Sequence, residues 1–391
     1  MRYRIEKDLL GQRQVPAEAY YGIETLRGKE NFEITKRGIC RQMIKALAIV
    51  KKAAAKANVD ALNIDEKVGK AIMLACDEIL NGRLHGQFVT DLIQGGAGTS
   101  MNMNANEVIA NRANELLGGK KGVYDFVHPN DHVNFGQSTN DVIQTAGKIA
   151  IVKQLKKLQV ELKKLYNAYL NKATEFKDVI KMGRTHLQEA LPLRLGQEFS
   201  AYASALNRDM KRIDVAIEAL LEVNMGATAI GTSLNANEKY RKKVIYYLNK
   251  FSGEQIKPAK DLIDATRNFD TFGQASSTLK LLALNLSKTA SDLRLMASSG
   301  SNGFSEITLP HVQPGSSIMP GKYNPVVPEM VNQVCFYVIG LDVTITKAIE
   351  AGQLELNVFG PIILMSLFEQ ITTLRRATRT FHNLAISGLI A

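Results

Sequence analysis

Four polar segments of this sequence are too rich in small hydroxyl, amide and glycine residues to be core. The first runs Gly98-Thr99-Ser100-Met101-Asn102-Met103-Asn104-Ala105-Asn106-Glu107. It resembles a phosphate loop only in its glycines, because no Gly-Lys-Ser/Thr follows. Thr99 and Ser100 stand where a helix N-cap is expected, and the free N–H groups of a helix start bind carboxylates as well as phosphates. The second, His128 to Asp141, is dense in side-chain donors; Ser138 and Thr139, heading the next helix, could each grip a carboxylate oxygen. The third, Gly183-Arg184-Thr185-His186-Leu187-Gln188-Glu189-Ala190, sets a histidine beside a threonine and an arginine, a grouping suited to contacting an anion or moving a proton. The fourth is Gln313-Pro314-Gly315-Ser316-Ser317-Ile318-Met319-Pro320-Gly321-Lys322-Tyr323-Asn324-Pro325. Its glycines and prolines allow movement between stiff states, as an active-site lid requires. Plain helix caps account equally for the first two segments, and a satisfied structural histidine for the third. A bare linker would not need the lysine and paired serines of the fourth.

The elements around these segments read as helices. Ile44, Leu47, Ala48 and Val50 recur at helical spacing within residues 42–57, and a second helix is expected from about Asp65 to Leu80. From Asn140 a long amphipathic helix is marked by Ile151, Leu155, Leu158, Leu162, Leu165, Tyr169 and Leu170, with Lys153, Lys156, Lys157, Lys163 and Lys164 on its other face. Further helical runs are expected over about Pro192–Val223, Asp270–Ala297, Pro328–Ala351 and from Pro361 onward. The run around Leu281–Leu286 is nearly free of charge, as in a helix inside a bundle. The first forty residues read as mixed and turn-rich, strand-like alternation is scarce, and there is no internal repeat. The fold class is therefore mainly α, with a bundle of long helices. The expected division is an N-terminal, mostly helical domain over 1–139 and a long-helix bundle over 140–391.

Composition narrows the function. The 391 residues are ordinary globular material, 45% hydrophobic and 22% charged. The 49 basic and 38 acidic residues give a net charge of +11. With no zinc-finger or RNP pattern, and the lysines on helix outer faces, this excess argues for solvated surfaces and mild steering of small dianions, not for nucleic acid. Cys40, Cys76 and Cys335 are scattered and form no CxxC pair, which points to neither disulfides nor zinc. The N-terminus lacks a signal-peptide core, and no apolar run approaches the ~20 residues of a membrane span. A cytoplasmic protein, with no membrane partner, is expected.

The fourth segment resembles the signature GSSIMPxKxNP of the aspartase/fumarase superfamily. The resemblance extends over essentially the whole chain and in family order. Thr99 to Arg112 is similar to the family's first active-site region, His128 to Asp141 to its companion, and Gly183 to Gln188 to its third block. His132 and the run Val326 to Cys335 resemble the aspartate ammonia-lyase branch more than fumarases. The resemblance implies an aspartase/fumarase-type fold whose long helices form a multi-subunit core. It also implies a homotetramer with pockets shared between subunits. The implied reaction is reversible elimination of ammonia from L-aspartate to fumarate, a small-molecule reaction needing no organic cofactor, with activation by a divalent metal left open. By their places in the motifs, Ser316 would be the general base, with His186 and Lys322 also catalytic. Thr99, Ser138, Thr139, Asn140, Thr185, His186, Lys322 and Asn324 would bind substrate. The chemical problem is a weakly acidic Cβ proton, whose removal puts a second negative charge on the adjacent carboxylate.

The sequence departs from the family pattern at four places. Ser301-Asn302 stands for Pro-Arg, Tyr323 for a small aliphatic residue and Gly136 for serine, and the small C-terminal helical domain is expected to be largely absent. Two other readings share the fold: a fumarate hydratase, with water as leaving group, and a non-catalytic scaffold.

Overall fold

The computed structural model describes residues 2–300 and 302–391, so the departure at Ser301 lies outside the described residues. The helices are α1 (Ile23–Asn31), α2 (Arg41–Asp60), α3 (Glu66–Leu80), α4 (Thr99–Leu116), α5 (Thr139–Glu175), α6 (Leu195–Leu220), α7 (Glu238–Ser252), α8 (Leu262–Arg267), α9 (Asp270–Met296), α10 (Val326–Glu350) and α11 (Gly360–Phe381). The described strands form three two-stranded pairs: β1 (Tyr3–Asp8) with β2 (Gly11–Pro16), β3 (Ile180–Thr185) with β4 (Gln188–Arg194), and β5 (Glu222–Val223) with β6 (Lys257–Pro258). The fold is mainly α, as expected. Contacts divide it into one unit of Met1–Lys153, Glu218–Gly273 and Ile345–Ser366, and a second of Gln154–Ile217, Gln274–Thr344 and Leu367–Ala391.

In the first unit the N-terminal stretch that read as turn-rich is an antiparallel hairpin with Tyr3 opposite Pro16. Helix α2 packs on α3 and α7, and α4 packs on α3 and α1. Asp65, expected as a helix start, is the cap of α3 and accepts the N–H groups of Lys67 and Val68. The segment from Thr99, where a helix cap was expected, is α4, and its buried face sets asparagines among methionine, alanine, valine and isoleucine residues. Buried amides must be paired, and here they hold loops. Asn104 accepts from the Val89 N–H and donates to the Gln87 carbonyl, both at 2.9 Å. Asn111 donates to the Tyr20 carbonyl and accepts from Gly122 N–H. Asn114 accepts from Phe126 and Val127 N–H and donates to the Val127 carbonyl. Glu107, on the same helix, accepts N–H bonds from Gly22, Glu24 and Thr25 at the start of α1. Burial nevertheless pushes its carboxyl up to about 7.

The second unit is a helix bundle. Buried Asp342 on α10 accepts from Ser276 Oγ at 2.7 Å and from Lys280 Nζ at 2.6 Å, both on α9. Gln370 on α11 donates to Ser276 Oγ and to the Val338 carbonyl. Asn285 on α9 donates to Asp209 on α6. Phe199 and Tyr202 of α6 pack their rings on Tyr169 of α5. Leu281 and Leu284 in the uncharged stretch of α9 are 40% and 48% exposed in the single chain, while Leu282 and Leu286 are buried.

Three expectations change. The run from Pro192 is not all helix: residues 188–194 are β4, with Pro192 opposite Met182, and α6 begins at Leu195. Lys153 is not merely solvated, since its ammonium donates to the Ser252 carbonyl at 2.8 Å. Among the described residues one helix, Val326–Glu350, is long and apolar enough to cross a membrane, with a mean hydropathy of 1.3 over its most apolar window. The scattered charges of α10 hid it from a search for an uninterrupted apolar run. Its Asp342 pairs give it the contacts of a bundle helix.

Candidate active site

The second polar segment ends at the N-terminus of α5. Ser138 Oγ accepts from Asn140 N–H at 3.2 Å, and the Ser138 N–H donates to Asp141 Oδ1 at 2.9 Å, a reciprocal cap. The other oxygen of Asp141 accepts from Gly226 and Thr228 N–H, each at 3.1 Å, which fixes the 224–229 loop against the helix start. Asn140 donates to the Ala229 carbonyl at 2.6 Å and so serves the same junction. Between these segments opens a pocket of about 720 Å³ lined by Asn134, Gln137, Ser138, Thr139, Thr228 and neighbours. It offers hydroxyls, amides and a helix N-terminus, the donor set of a carboxylate site.

Thr99 is the first residue of α4 and not its cap. The cap position is Gly98, in the left-handed region at φ 97°, and Thr99 Oγ1 donates to the Gly96 carbonyl at 2.6 Å. Thr99 is exposed, and Asn102, one turn further on, donates to Thr139 Oγ1 at 3.3 Å.

Sequence reasoning missed Lys51. It is fully buried on α2, and its ammonium donates to Asn134 Oδ1 at 2.8 Å and Gln137 Oε1 at 3.0 Å. Asn134 Oδ1 also receives the amides of Asn102 and Asn106, both at 3.2 Å. A buried cation therefore braces the loop that lines the pocket. Burial pushes Lys51 down to about 7, opposed by the nearby charge of Asp141. Burial pushes Asp141 up to about 6, against its N–H bonds and Lys51. The signal was present: Lys51 is seven residues after Ile44, on the same apolar face.

In the second unit, Thr185 and His186 lie at the tip of the β3–β4 hairpin. Thr185 pairs with Gln188, leaving a two-residue turn in which His186 has φ 54° and Leu187 φ 61°. Such a turn favours Asn-Gly, and two ordinary residues there carry a strain of roughly 1 kcal/mol each. The register shifts at Gly183, where a Cβ would meet the Leu191 carbonyl oxygen at 2.7 Å. Leu187 is exposed, so Leu187→Gly should stabilise the chain by ~0.5–1 kcal/mol without loss of packing, read as a higher urea midpoint.

The fourth segment closes on itself. Gly315 N–H donates to the Lys322 carbonyl at 3.0 Å, and Asn324 Nδ2 donates to the Gly315 carbonyl at 2.7 Å. A Cβ at Gly315 would lie 2.2 Å from that Lys322 oxygen, so glycine is required for closure. At the neck, the rings of His311 and Tyr323 stack with centroids 3.7 Å apart. Within the loop, Ser316 Oγ accepts N–H bonds from Ile318 at 3.3 Å and Met319 at 3.1 Å. Two N–H groups aimed at a hydroxyl oxygen favour its ionised form. Lys322, exposed, belongs to the same loop. The structure thus collects Ser138, Thr139 and Asn140 at one helix start, Thr185 and His186 at one hairpin tip, and Ser316, Lys322 and Asn324 in one closed loop. Among the described residues no cluster of three or more His, Cys, Asp or Glu could hold a metal, and the three cysteines are free.

A family model described as lyase matches residues 11–340. The chain is 54% identical to the aspartate ammonia-lyase of Bacillus subtilis, covering 100% of this chain and 82% of that one. It is 49% identical to the aspartate ammonia-lyase of Escherichia coli K12, over 99% and 82%. Among solved structures it is similar to a fumarate lyase:delta crystallin from Brucella melitensis bound to cobalt, at 47% identity and TM-score 0.98, covering 100% of this chain and 85% of that one. It is also similar to the class II fumarase of Schistosoma mansoni, at 36% identity and TM-score 0.97 over the same shares. Matched along its whole length in sequence and in fold, the chain belongs to the lyase family that includes the aspartate ammonia-lyases.

Proposed function

We propose that this chain is a carbon–nitrogen lyase that reversibly eliminates ammonia from L-aspartate to give fumarate. The observation that carries this reading is its likeness to curated aspartate ammonia-lyases at 49–54% identity over 99–100% of the chain. The fumarase in the comparison is further away, at 36%. The geometry supports a mechanism. Ser316, with two N–H groups on its Oγ, removes the Cβ proton. Lys322 and Asn324 supply a cation and an amide from the same loop. Ser138, Thr139 and Asn140 hold carboxylate oxygens at the start of α5, Thr99 joins them once its hydroxyl turns from the Gly96 carbonyl to substrate, and Thr185 and His186 do so from the hairpin tip. As the proton leaves, charge grows on the carboxylate next to Cβ, and these fixed donors stabilise it without reorganising. Closure of the serine loop excludes water and strengthens each contact. No step calls on a cofactor.

The working form in this reading is a cytoplasmic homotetramer. Phe336 and Val343 on α10 are 63% and 59% exposed, and Val215 on α6 is 57% exposed. Together with Leu281 and Leu284 they leave apolar bundle surface for other copies of the chain.

Fumarate absorbance followed in parallel with L-aspartate and L-malate tests the substrate. Formation from aspartate alone is expected. Formation from malate alone would make the chain a fumarate hydratase, and no formation from either would favour a scaffold.

A further inference from the structure

Lys181, Arg184, Glu198 and Glu306 form a largely buried charge cluster in the second unit that the mechanism above does not use. Glu306 receives a different cation on each carboxylate oxygen. Arg184 Nη1 donates to Oε1, and Lys181 Nζ lies 2.8 Å from Oε2. Lys181 also meets Glu198 at 2.8 Å, so two cations and two carboxylates balance. Both cations lie on β3, and Arg184 directly precedes Thr185. Its guanidinium also sits 4.2 Å over the Phe304 ring.

The backbone at Glu306 is itself anchored. Its N–H donates to the Met296 carbonyl at the end of α9, and Thr308 exchanges two backbone bonds with Ile390. Five residues after Thr308, at Gln313, the chain enters the segment that carries Ser316. The glutamate therefore stands where a fixed strip of backbone becomes the serine loop, and its side chain grips the strand that ends in Thr185.

We propose that Glu306 is a positioning residue. It would join the strained hairpin tip bearing Thr185 and His186 to the foot of the loop bearing Ser316, Lys322 and Asn324, so that both are presented in fixed register. The inference rests on the reading of those residues as the active site. The tip carries two residues in the left-handed region and would relax if released. A neutral amide at 306 cannot accept from two cations as a carboxylate does.

The test uses the full chain with Glu306→Gln, and Glu198→Gln as control. The control removes one carboxylate from the cluster but leaves Glu306 with both cations. Glu306→Gln should raise KM for L-aspartate at least about tenfold and lower kcat as well, because the donors at the tip and the base in the loop both lose their register. It should also speed tryptic cleavage after Lys322 severalfold. Glu198→Gln should leave both within about twofold. Arg184→Gln, which removes one arm of the clamp, should reproduce the Glu306→Gln result and serves if that variant does not fold. Unchanged KM and unchanged cleavage in Glu306→Gln or Arg184→Gln would overturn the proposal, as would equal effects in Glu198→Gln. Ser316→Ala is run alongside. If it keeps wild-type turnover, the site reading fails, and the cleavage rates still judge the clamp alone.

Discussion

Ser316→Ala should lower kcat for ammonia release from L-aspartate by about 10³-fold or more, the upper range of what a positioned base contributes. KM should move by less than about fivefold, because in the proposed site substrate is held mainly by Ser138, Thr139, Thr185, His186, Lys322 and Asn324. The fold should be unaffected. Ser316 is only half-buried, and the N–H groups of Ile318 and Met319 that it accepts are in an exposed stretch where water can replace it. A serine hydroxyl is a weak base, so the argument depends on those two N–H bonds and the Lys322 cation favouring the alkoxide. Turnover within tenfold of the parent would place the base elsewhere.

The second large effect is expected at Lys51. Lys51→Met removes the ammonium and leaves Gln137 Oε1 without that donor, while Asn134 Oδ1 keeps the amides of Asn102 and Asn106. The loop leading to Ser138 and Thr139 loses its brace, so KM should rise by about tenfold or more. The pH dependence of stability identifies the cause. In the folded chain Lys51 titrates at about 7, against 10.5 for an ordinary lysine. Between those values the unfolded chain holds a proton that the folded chain has released, so stability rises with pH. The penalty of burying the charge is complete below pH 7 and gone above about 10.5. Asp141 acts in the other window: its carboxyl is pushed from 3.8 up to about 6, so stability falls as pH rises between those values. The unfolding free energy of the parent minus that of Lys51→Met should therefore climb between pH 7.5 and 9.5 by roughly 1 kcal/mol per unit. A flat difference would mean that burial does not push Lys51 down and that the folded chain keeps this proton through the window.

The long helices were legible because their apolar residues repeat strongly. Arg41–Asp60, Glu66–Leu80, Asp270–Met296 and Val326–Glu350 all lie close to where periodicity set them. The β3–β4 hairpin was not, since its turn is His186-Leu187 and carries neither the glycine nor the asparagine that marks such turns. Pro192, which suggested a helix start, sits instead in a two-stranded pair where an unpaired edge tolerates it. Helix α4 was hidden for a different reason. Its buried face interleaves Asn102, Asn104, Asn106, Asn111 and Asn114 with Met101, Met103, Val108 and Ile109, so the apolar stripe is broken, and the loops that the asparagines hold explain the choice.

The same limit applies to the candidate site. The segments holding Ser138, Thr139, Ser316, Lys322 and Asn324 stood out because hydroxyl, amide and lysine residues crowd into them, while the family resemblance alone joins these residues into one proposed site. Lys51 and Glu306 were not. Each acts through a partner distant in sequence, 83 residues away for Lys51 with Asn134 and 122 for Glu306 with Arg184. Lys51 shares the apolar face of Ile44, but nothing in the sequence names Asn134 as its partner.

The central claim is that this chain takes a Cβ proton from L-aspartate, expels ammonia and does both through Ser316. Proton NMR of L-aspartate incubated with the chain in D2O, beside Ser316→Ala, tests all three parts together. The account predicts that fumarate appears with the parent and that aspartate regenerated from it carries one deuterium at Cβ, while the variant gives neither signal. An aspartate spectrum that stays unchanged with the folded parent, or deuterium entering equally with Ser316→Ala, would contradict it.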